Sequence, residues 1–325
     1  MTGGGAAQQA NATPAARAAS GQNLSISIVI PTKSRQQDLV ETLQAMVAQD
    51  RRPEEIVIVD QSSSDCGQYL RDLFKAASGI HLNYIWAPEI RGLVAARNRG
   101  VAEASGSIIF FVDDDITMRS DCLANLLRRY QERPEVAGIC GVDVGGANVP
   151  WWLVLARRAY MLGPFRDERS LVNKRHQRLS EPFPVRLISG GLMSYRRWVF
   201  EQFQFEGKLW GHRWNSSNDF SYRVSMRYPL IIDPKVCVLH RKPYGDYTPE
   251  EFVRVRVSGT FFFFSRNIKR DVVGWSAFIW ILVAIFIRSV WRGIQARALG
   301  LTLRTFFSEV RQGMTFLQHP FEAPY

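Results

Sequence analysis

Three short apolar runs alternate with helical patterns in the first third of the chain, and each run ends in polar residues. Ile26-Ser27-Ile28-Val29-Ile30 stops at Pro31-Thr32, Ile56-Val57-Ile58-Val59 at Asp60-Gln61-Ser62-Ser63-Ser64-Asp65, and Ser107-Ile108-Ile109-Phe110-Phe111-Val112 at Asp113-Asp114-Asp115. Between them, Leu39, Leu43, Met46 and Val47, then Tyr69, Leu70, Leu73 and Phe74, recur at helical spacing. Buried strands joined through helices make βαβ units, with parallel strands and right-handed crossovers. Such a chain is confined to an open α/β sheet whose polar strand ends converge on one edge, which is where these sheets bind ligands.

Three consecutive carboxylates at a strand end suit a Mg²⁺ or Mn²⁺ ion that grips the phosphates of a nucleotide. Read alone, they equally fit an acidic turn exposed to water. No Cys-x-x-Cys or His-Glu-x-x-His pattern occurs, so the sequence does not support a structural or hydrolytic zinc site.

The order of four motifs decides between these readings. Ser27-Ile28-Val29-Ile30-Pro31-Thr32, Val57-Ile58-Val59-Asp60-Gln61-Ser62-Ser63-Ser64-Asp65, Gly92-Leu93-Val94-Ala95-Ala96-Arg97-Asn98-Arg99-Gly100 and Phe111-Val112-Asp113-Asp114-Asp115 follow one another within about ninety residues. Together they resemble the family 2 glycosyltransferases. Ile188-Ser189-Gly190-Gly191-Leu192-Met193-Ser194-Tyr195-Arg196-Arg197 and Asn218-Asp219-Phe220-Ser221-Tyr222-Arg223 look like acceptor-side motifs of the same family, so the likeness covers roughly residues 24 to 245. It implies a GT-A fold, Rossmann-like, with a mixed and mostly parallel sheet flanked by helices. It also implies transfer of a sugar from a nucleotide-diphosphate donor with inversion at the anomeric carbon.

The resemblance assigns roles residue by residue. Asp113 and Asp115 match the two acids of the family's D-x-D motif as metal ligands, with Asp113 and Asp114 also placed at the nucleotide-sugar. A metal bridging the phosphates stabilises the leaving diphosphate as a Lewis acid. Arg97 places a permanent cation near the diphosphate; the plainer reading is a surface arginine. Asp60 and Gln61 stand where the family binds the nucleobase, although many relatives carry a second acid in place of Gln61. Pro31 and Thr32 bring strand-end backbone to base or ribose. Asp219 is the expected general base, in a context resembling the family's Glu-Asp pair with Asn218 replacing Glu as an acceptor contact; N-capping is the rival role. Arg223 shares its helical face and either pairs with Asp219 or serves the diphosphate. His240, closing the run Val236-Cys237-Val238-Leu239, is the expected third metal ligand, against a structural hydrogen-bonded His. Trp210 and Trp214 are expected to stack on an acceptor sugar. The whole reading requires Asp219 and the acid trio to face each other across one pocket.

The remaining sequence sets organisation and partners. Residues 1–23, rich in Gly, Ala, Gln and Asn, read as a disordered lead without a signal-peptide core. Residues 24–245 form the catalytic domain, with a nucleotide-sugar half to about 142 and an acceptor half from about 143. The latter opens with an irregular, aromatic and basic stretch (Trp151, Trp152, Arg157, Arg158, Tyr160, Arg166, Arg169, Lys174, Arg175). Four scattered cysteines suit a reducing cytosol. The net charge of +11 concentrates late: residues 253–312 hold ten Arg or Lys against two acids. Within them Val272 to Ile287 is uncharged over sixteen residues, short of the roughly 20 that a spanning helix uses. Residues 246–325 are therefore expected to be a helical appendage at the cytoplasmic face of the membrane, peripheral, monotopic or single-span, with Phe261-Phe262-Phe263-Phe264 extending the lipid-buried surface. A soluble core helix is the alternative, and nucleic acid is not an expected partner. The reading is a metal-dependent (Mn²⁺ or Mg²⁺) transferase of hexosyl type, using a UDP-sugar or other nucleotide-sugar and a glycan or lipid-linked acceptor in cell-surface polysaccharide synthesis. The competing functions are a nucleotidyltransferase and a non-catalytic membrane-bound assembly factor.

Overall fold

The computed structural model describes residues 24–74, 79–145, 155, 159–161, 163–167, 181–188, 190–206, 216–241 and 247–318. The N-terminal lead and Trp151, Trp152, Trp210 and Trp214 lie outside them.

The alternating first third folds as its spacing dictates. β1 (Ile26–Thr32), α1 (Gln36–Val47), β2 (Glu55–Asp60), α2 (Gly67–Phe74), β3 (His81–Trp86), α3 (Leu93–Glu103) and β4 (Ile108–Val112) follow in order. β1, β2 and β4 are buried at every position, which explains their unbroken apolar runs. β5 (Ile116–Met118), α4 (Cys122–Glu132), β6 (Gly138–Asp143), β7 (Phe183–Val185), β8 (Leu192–Arg196), α5 (Val199–Gln202), α6 (Ser216–Ser225) and β9 (Leu230–His240) complete the domain. Nine strands form one mixed sheet in the order β3-β2-β1-β4-β8-β6-β9-β5, with β7 also on β9. Strands β1 to β4 are mutually parallel where they pair, and β8 is antiparallel to both β4 and β6.

Register positions the polar ends. Thr32 pairs with Asp60 and Asp60 with Trp86, so three strand ends lie level. Antiparallel β8 starts beside the end of β4, with Val112 opposite Leu192, which lays Gly190-Gly191 over the carboxylate turn. β9 pairs β6 along one side and β5 at its far end, where Ile116 sits opposite His240. One hydrophobic cluster fills both faces of the sheet.

A second cluster lies in the three following helices, α7 (Pro249–Asn267), α8 (Val272–Gln295) and α9 (Leu299–Gln318). α7 begins with a reciprocal capping box between Thr248 and Glu251 and Pro249 in its first turn. Phe261, Phe262, Phe263 and Phe264 are all buried in α7. That corrects the expectation that they extend a lipid-facing surface: Phe261 and Phe264 pack on Phe278 of α8, Phe262 on Phe316 of α9 and Phe263 on Tyr222 of α6.

Candidate active site

The turn after β4 sends its three carboxylates in different directions. Asp113 keeps 33% of its side chain exposed and faces His240, with Oδ2 3.6 Å from Nε2. Asp114 turns under the sheet edge, accepting from Thr32 Oγ1 at 2.7 Å and from Arg35 at 3.1 Å. Asp115 pairs with the same Arg35 at 3.5 Å. The trio therefore splits in two: Asp113 meets His240, while Asp114 and Asp115 share Arg35. Asp114 is occupied by Thr32 and Arg35, and burial raises its pKa against the pull of both partners. It holds the turn to β1 through these two contacts. The Thr32 hydroxyl is committed to the same contact, and Pro31 lies buried within β1. Arg35, half-exposed on the loop after β1, is a cation at the site that sequence reasoning missed.

His240 sits between two carboxylates. Its Nδ1 is 3.0 Å from Asp143 Oδ2, which leaves Nε2 toward Asp113. Asp143 ends β6, and the β6–β9 register, with Asp143 opposite Val238, brings it to the imidazole. Burial lowers the pKa of His240, but the hydrogen bonds and charges of Asp113 and Asp143 outweigh it and raise it to about 9. Burial raises the pKa of Asp113, yet His240, Arg97 and Arg35 together hold it below the usual carboxylate range.

This arrangement fits a divalent cation in part. A metal-ligating His ordinarily gives its other ring nitrogen to a carboxylate, which fixes the tautomer; Asp143 does that here. Asp113 and His240 Nε2 would then be the protein donors, with the rest of a hard cation's shell left to oxygen ligands from outside the protein. Asp115, the other expected ligand, is turned to Arg35 at 3.5 Å. Among the described residues no three His, Cys, Asp or Glu side chains form a metal cluster.

Arg97 lies beneath the same turn. It is buried, donates to the Gly190 carbonyl at 2.9 Å and to Ser217 Oγ at 3.4 Å, and stacks on Phe205. The glycine pair leaves room for this packing: a Cβ on Gly191 would meet the Asp113 carboxylate, and one on Gly190 would meet the Ser217 hydroxyl and the Arg97 guanidinium. Neighbouring Asn98 clamps the backbone of Phe205 through both ends of its amide.

Asp60 and Gln61 shape the adjoining edge. Both Asp60 oxygens are engaged, one by the Ser62 amide and hydroxyl and the other by Tyr84 Oη at 2.8 Å. Gln61 Oε1 accepts from the Gly92 amide at 2.9 Å, and Gly92, at φ 93°, provides the left-handed turn into α3. Trp86, beside Asp60, remains 45% exposed with its indole N–H on the Ser62 carbonyl. It forms an aromatic wall that sequence reasoning did not single out.

Asp219 is elsewhere. Its relative exposure is 0%, and both oxygens are taken: Arg223 donates twice at 3.0 and 3.1 Å, Asn267 donates at 2.9 Å and Arg266 lies at 3.3 Å. Helical geometry explains why. Residues two apart on an α-helix point about 200° apart, so once Ser217 faces Arg97 and Gly190, Asp219 faces α7. Arg223, one turn on, follows it. Asp219 and Arg223, expected as base and as a diphosphate contact, form an internal ion pair here and are not brought to the Asp113 site. Asn218 is buried on the same helix. The pattern Asp-x-x-x-Arg was the available signal, because residues four apart are neighbours on one helix face and can pair with each other. A cavity of about 510 Å³ opens on this far side of α6, lined by Tyr222, Arg266, Asn267 and Lys269, among others, and is separate from the Asp113 site.

Known proteins share this plan. Residues 27–203 match the model of glycosyl transferase family 2. Among curated proteins, the chain is 29% identical over 134 residues to a glucosyl-dolichyl phosphate glucuronosyltransferase of Haloferax volcanii, covering 40% of each chain. It is 28% identical over 127 residues to a GalNAc(5)-diNAcBac-PP-undecaprenol beta-1,3-glucosyltransferase of Campylobacter jejuni, covering 37% of this chain and 40% of that one. The matches thus span about two-fifths of these relatives. Among solved structures, S. aureus TarS 1-349 in complex with UDP-GlcNAc aligns at TM-score 0.58 and 15% identity, over 90% of this chain and 82% of that one. The mannosyltransferase PcManGT from Pyrobaculum calidifontis, in complex with GDP-Man and Mn²⁺, aligns at 0.54 and 18%, over 92% and 88%. These identities bear on the fold, which is GT-A.

Proposed function

Since the chain belongs to glycosyl transferase family 2, we propose that it moves a hexosyl group from a nucleoside-diphosphate sugar to a hydroxyl of a glycan or lipid-linked acceptor in surface-polysaccharide synthesis at a membrane. The observation that carries this reading is the half-open Asp113–His240 pair, backed by Asp143, at the carboxyl edge of the sheet with Arg97 beneath it. A divalent cation bound by Asp113 and His240 would neutralise charge on the leaving diphosphate. Arg97 adds a fixed charge from below, and Arg35 stands at the mouth. Gln61 and Trp86 border the edge where the base would lie. The relatives that act on dolichyl and undecaprenyl carriers support the lipid-linked acceptor.

Inversion, which the family resemblance implies, requires a proton acceptor opposite the leaving group. Asp219 does not meet that requirement, and the α6 residue that faces Arg97 is a hydroxyl, Ser217. This one observation favours a second reading, a protein that binds the nucleotide-sugar without transferring it. A thermal-shift screen of UDP- and GDP-sugars with and without Mn²⁺, followed by transfer to a crude lipid extract, tests both. The proposal expects a donor whose stabilisation requires Mn²⁺ and is lost in Asp113→Asn. Binding without transfer favours the second reading; no stabilisation by any donor overturns both.

A further inference from the structure

We infer that α8 lies flat in a membrane surface and sinks only its outer face into the lipid, as an in-plane anchor that does not cross the bilayer. The inference rests on the membrane association proposed above and adds its geometry.

The two faces of α8 are sharply different. Gly274, Phe278, Ile281, Ile285, Ser289 and Gly293 recur at three- and four-residue spacing and are buried. On the opposite face, Val272, Ile279, Val283, Ile287, Trp291 and Ile294 are all exposed, Val272 at 81%. The outer stripe thus runs the whole 24-residue helix, about 36 Å at 1.5 Å per residue. Only 28% of its most apolar window is buried, so α8 is not a core helix of the usual kind. Such a stripe needs a cover.

Anionic lipid is the cover that the surrounding charges fit. Lys269 and Arg270 precede the helix, Arg297 follows it, and Arg304 and Arg311 are exposed on α9. From residue 266 to 311 the chain carries eight Arg or Lys against two acids. Of the acids, Asp271 caps α8 and Glu309 is bound by Ser258. An apolar face with aromatic residues and a basic margin is the pattern of an interfacial helix.

Packing argues against crossing. Thr302 reaches Glu250, Glu309 takes the Ser258 hydroxyl, and Phe316 meets Phe262, so α9 runs beside α7 in the same direction. α8 runs antiparallel to both and packs against each of them. α7 is fixed to the catalytic domain, its last residue Asn267 holding Asp219. A crossing α8 would draw the charged residues of α7 and α9 into hydrocarbon, where they are costly. Arg288 and Arg292, which cover Phe252 of α7, would go with them. Lying flat leaves every one of these groups on the protein side. It also brings the lipid surface to Ala159 and Tyr160, since Trp280 donates to the Ala159 carbonyl and its ring packs on Tyr160.

The test uses the full chain added to sealed, preformed vesicles of phosphatidylcholine with or without 30% phosphatidylglycerol. Flotation should recover the protein with the anionic vesicles, and the Ile279→Asp/Ile287→Asp double variant should bind at least about tenfold more weakly. Single variants Lys269→Cys and Ala296→Cys, at the two ends of α8, should both react with a membrane-impermeant maleimide outside the vesicles, above the wild-type background. Labelling at one end only, with the other revealed by detergent, would mean that α8 crosses: this overturns the flat arrangement and keeps the membrane reading. Wild-type protein that does not float, whether monomeric or a dimer dispersed by the Asp substitutions, overturns both.

Discussion

Asp113 and Asp219 stand in motifs of the same family resemblance, and the molecule treats them in opposite ways. Asp113 is a third exposed, faces one histidine at 3.6 Å and touches a glycine chosen for the approach. Asp219 is fully buried and surrounded by Arg223, Arg266 and Asn267. A carboxylate that acts on a ligand needs an oxygen left over for it. One whose oxygens are saturated by cations inside the fold holds helices together, and here it ties α6 to α7.

The largest effect that would sharpen this contrast is on stability. Asp219→Asn leaves Arg223 without its counter-charge and Arg266 with Glu206 alone, and breaking a buried ion pair costs about 3–5 kcal/mol. Urea unfolding should show that loss, with turnover per folded molecule within a few-fold of wild type. An unchanged midpoint together with abolished transfer would instead restore Asp219 to the chemistry. Asp113→Asn is expected to do the reverse: turnover falls about 10²-fold or more, equivalent to roughly 2.7 kcal/mol. Its Mn²⁺ response should disappear while the urea midpoint stays near wild type.

These residues also mark what the sequence could and could not say. Strand ends were legible because a fully buried strand writes a continuous apolar run, and Thr32, Asp60 and Asp113 follow such runs directly. Asp143 was invisible as a partner of His240, because nearly a hundred residues separate them and only the β6–β9 register joins them. Arg35 sits in a loop whose direction no periodicity encodes. The motif pointed to Asp219, while its spacing to Arg223 matched the internal pair, since the helix that turns one acid inward turns Ser217 toward Arg97.

Ser217 allows a finer test. If its hydroxyl only receives the Arg97 hydrogen bond, Ser217→Ala removes about 1–1.5 kcal/mol and lowers turnover less than about tenfold. A loss as large as that of Asp113→Asn would place the hydroxyl in the reaction.

Glu55 supplies the smallest effect and a control for burial itself. It is buried in β2 like Asp219, but its partners are the hydroxyls of Ser27 and Ser105, the Ser105 amide and, at 3.5 Å, the exposed His81 imidazole, which His81→Asn removes from the comparison. Burial raises its pKa, yet these hydrogen bonds outweigh the effect and leave it below the ordinary glutamate value. A carboxyl depressed in the folded state adds stability that is present above its unfolded pKa and is lost as pH falls through the folded one. Wild type should therefore lose stability more steeply than Glu55→Gln between pH 7 and pH 3, the gap between the two narrowing toward acid. If the gap stays constant, the ionised form gains nothing from its serines. The contrast with Asp219 would then reduce to burial alone, without regard to whether the surrounding donors are charged.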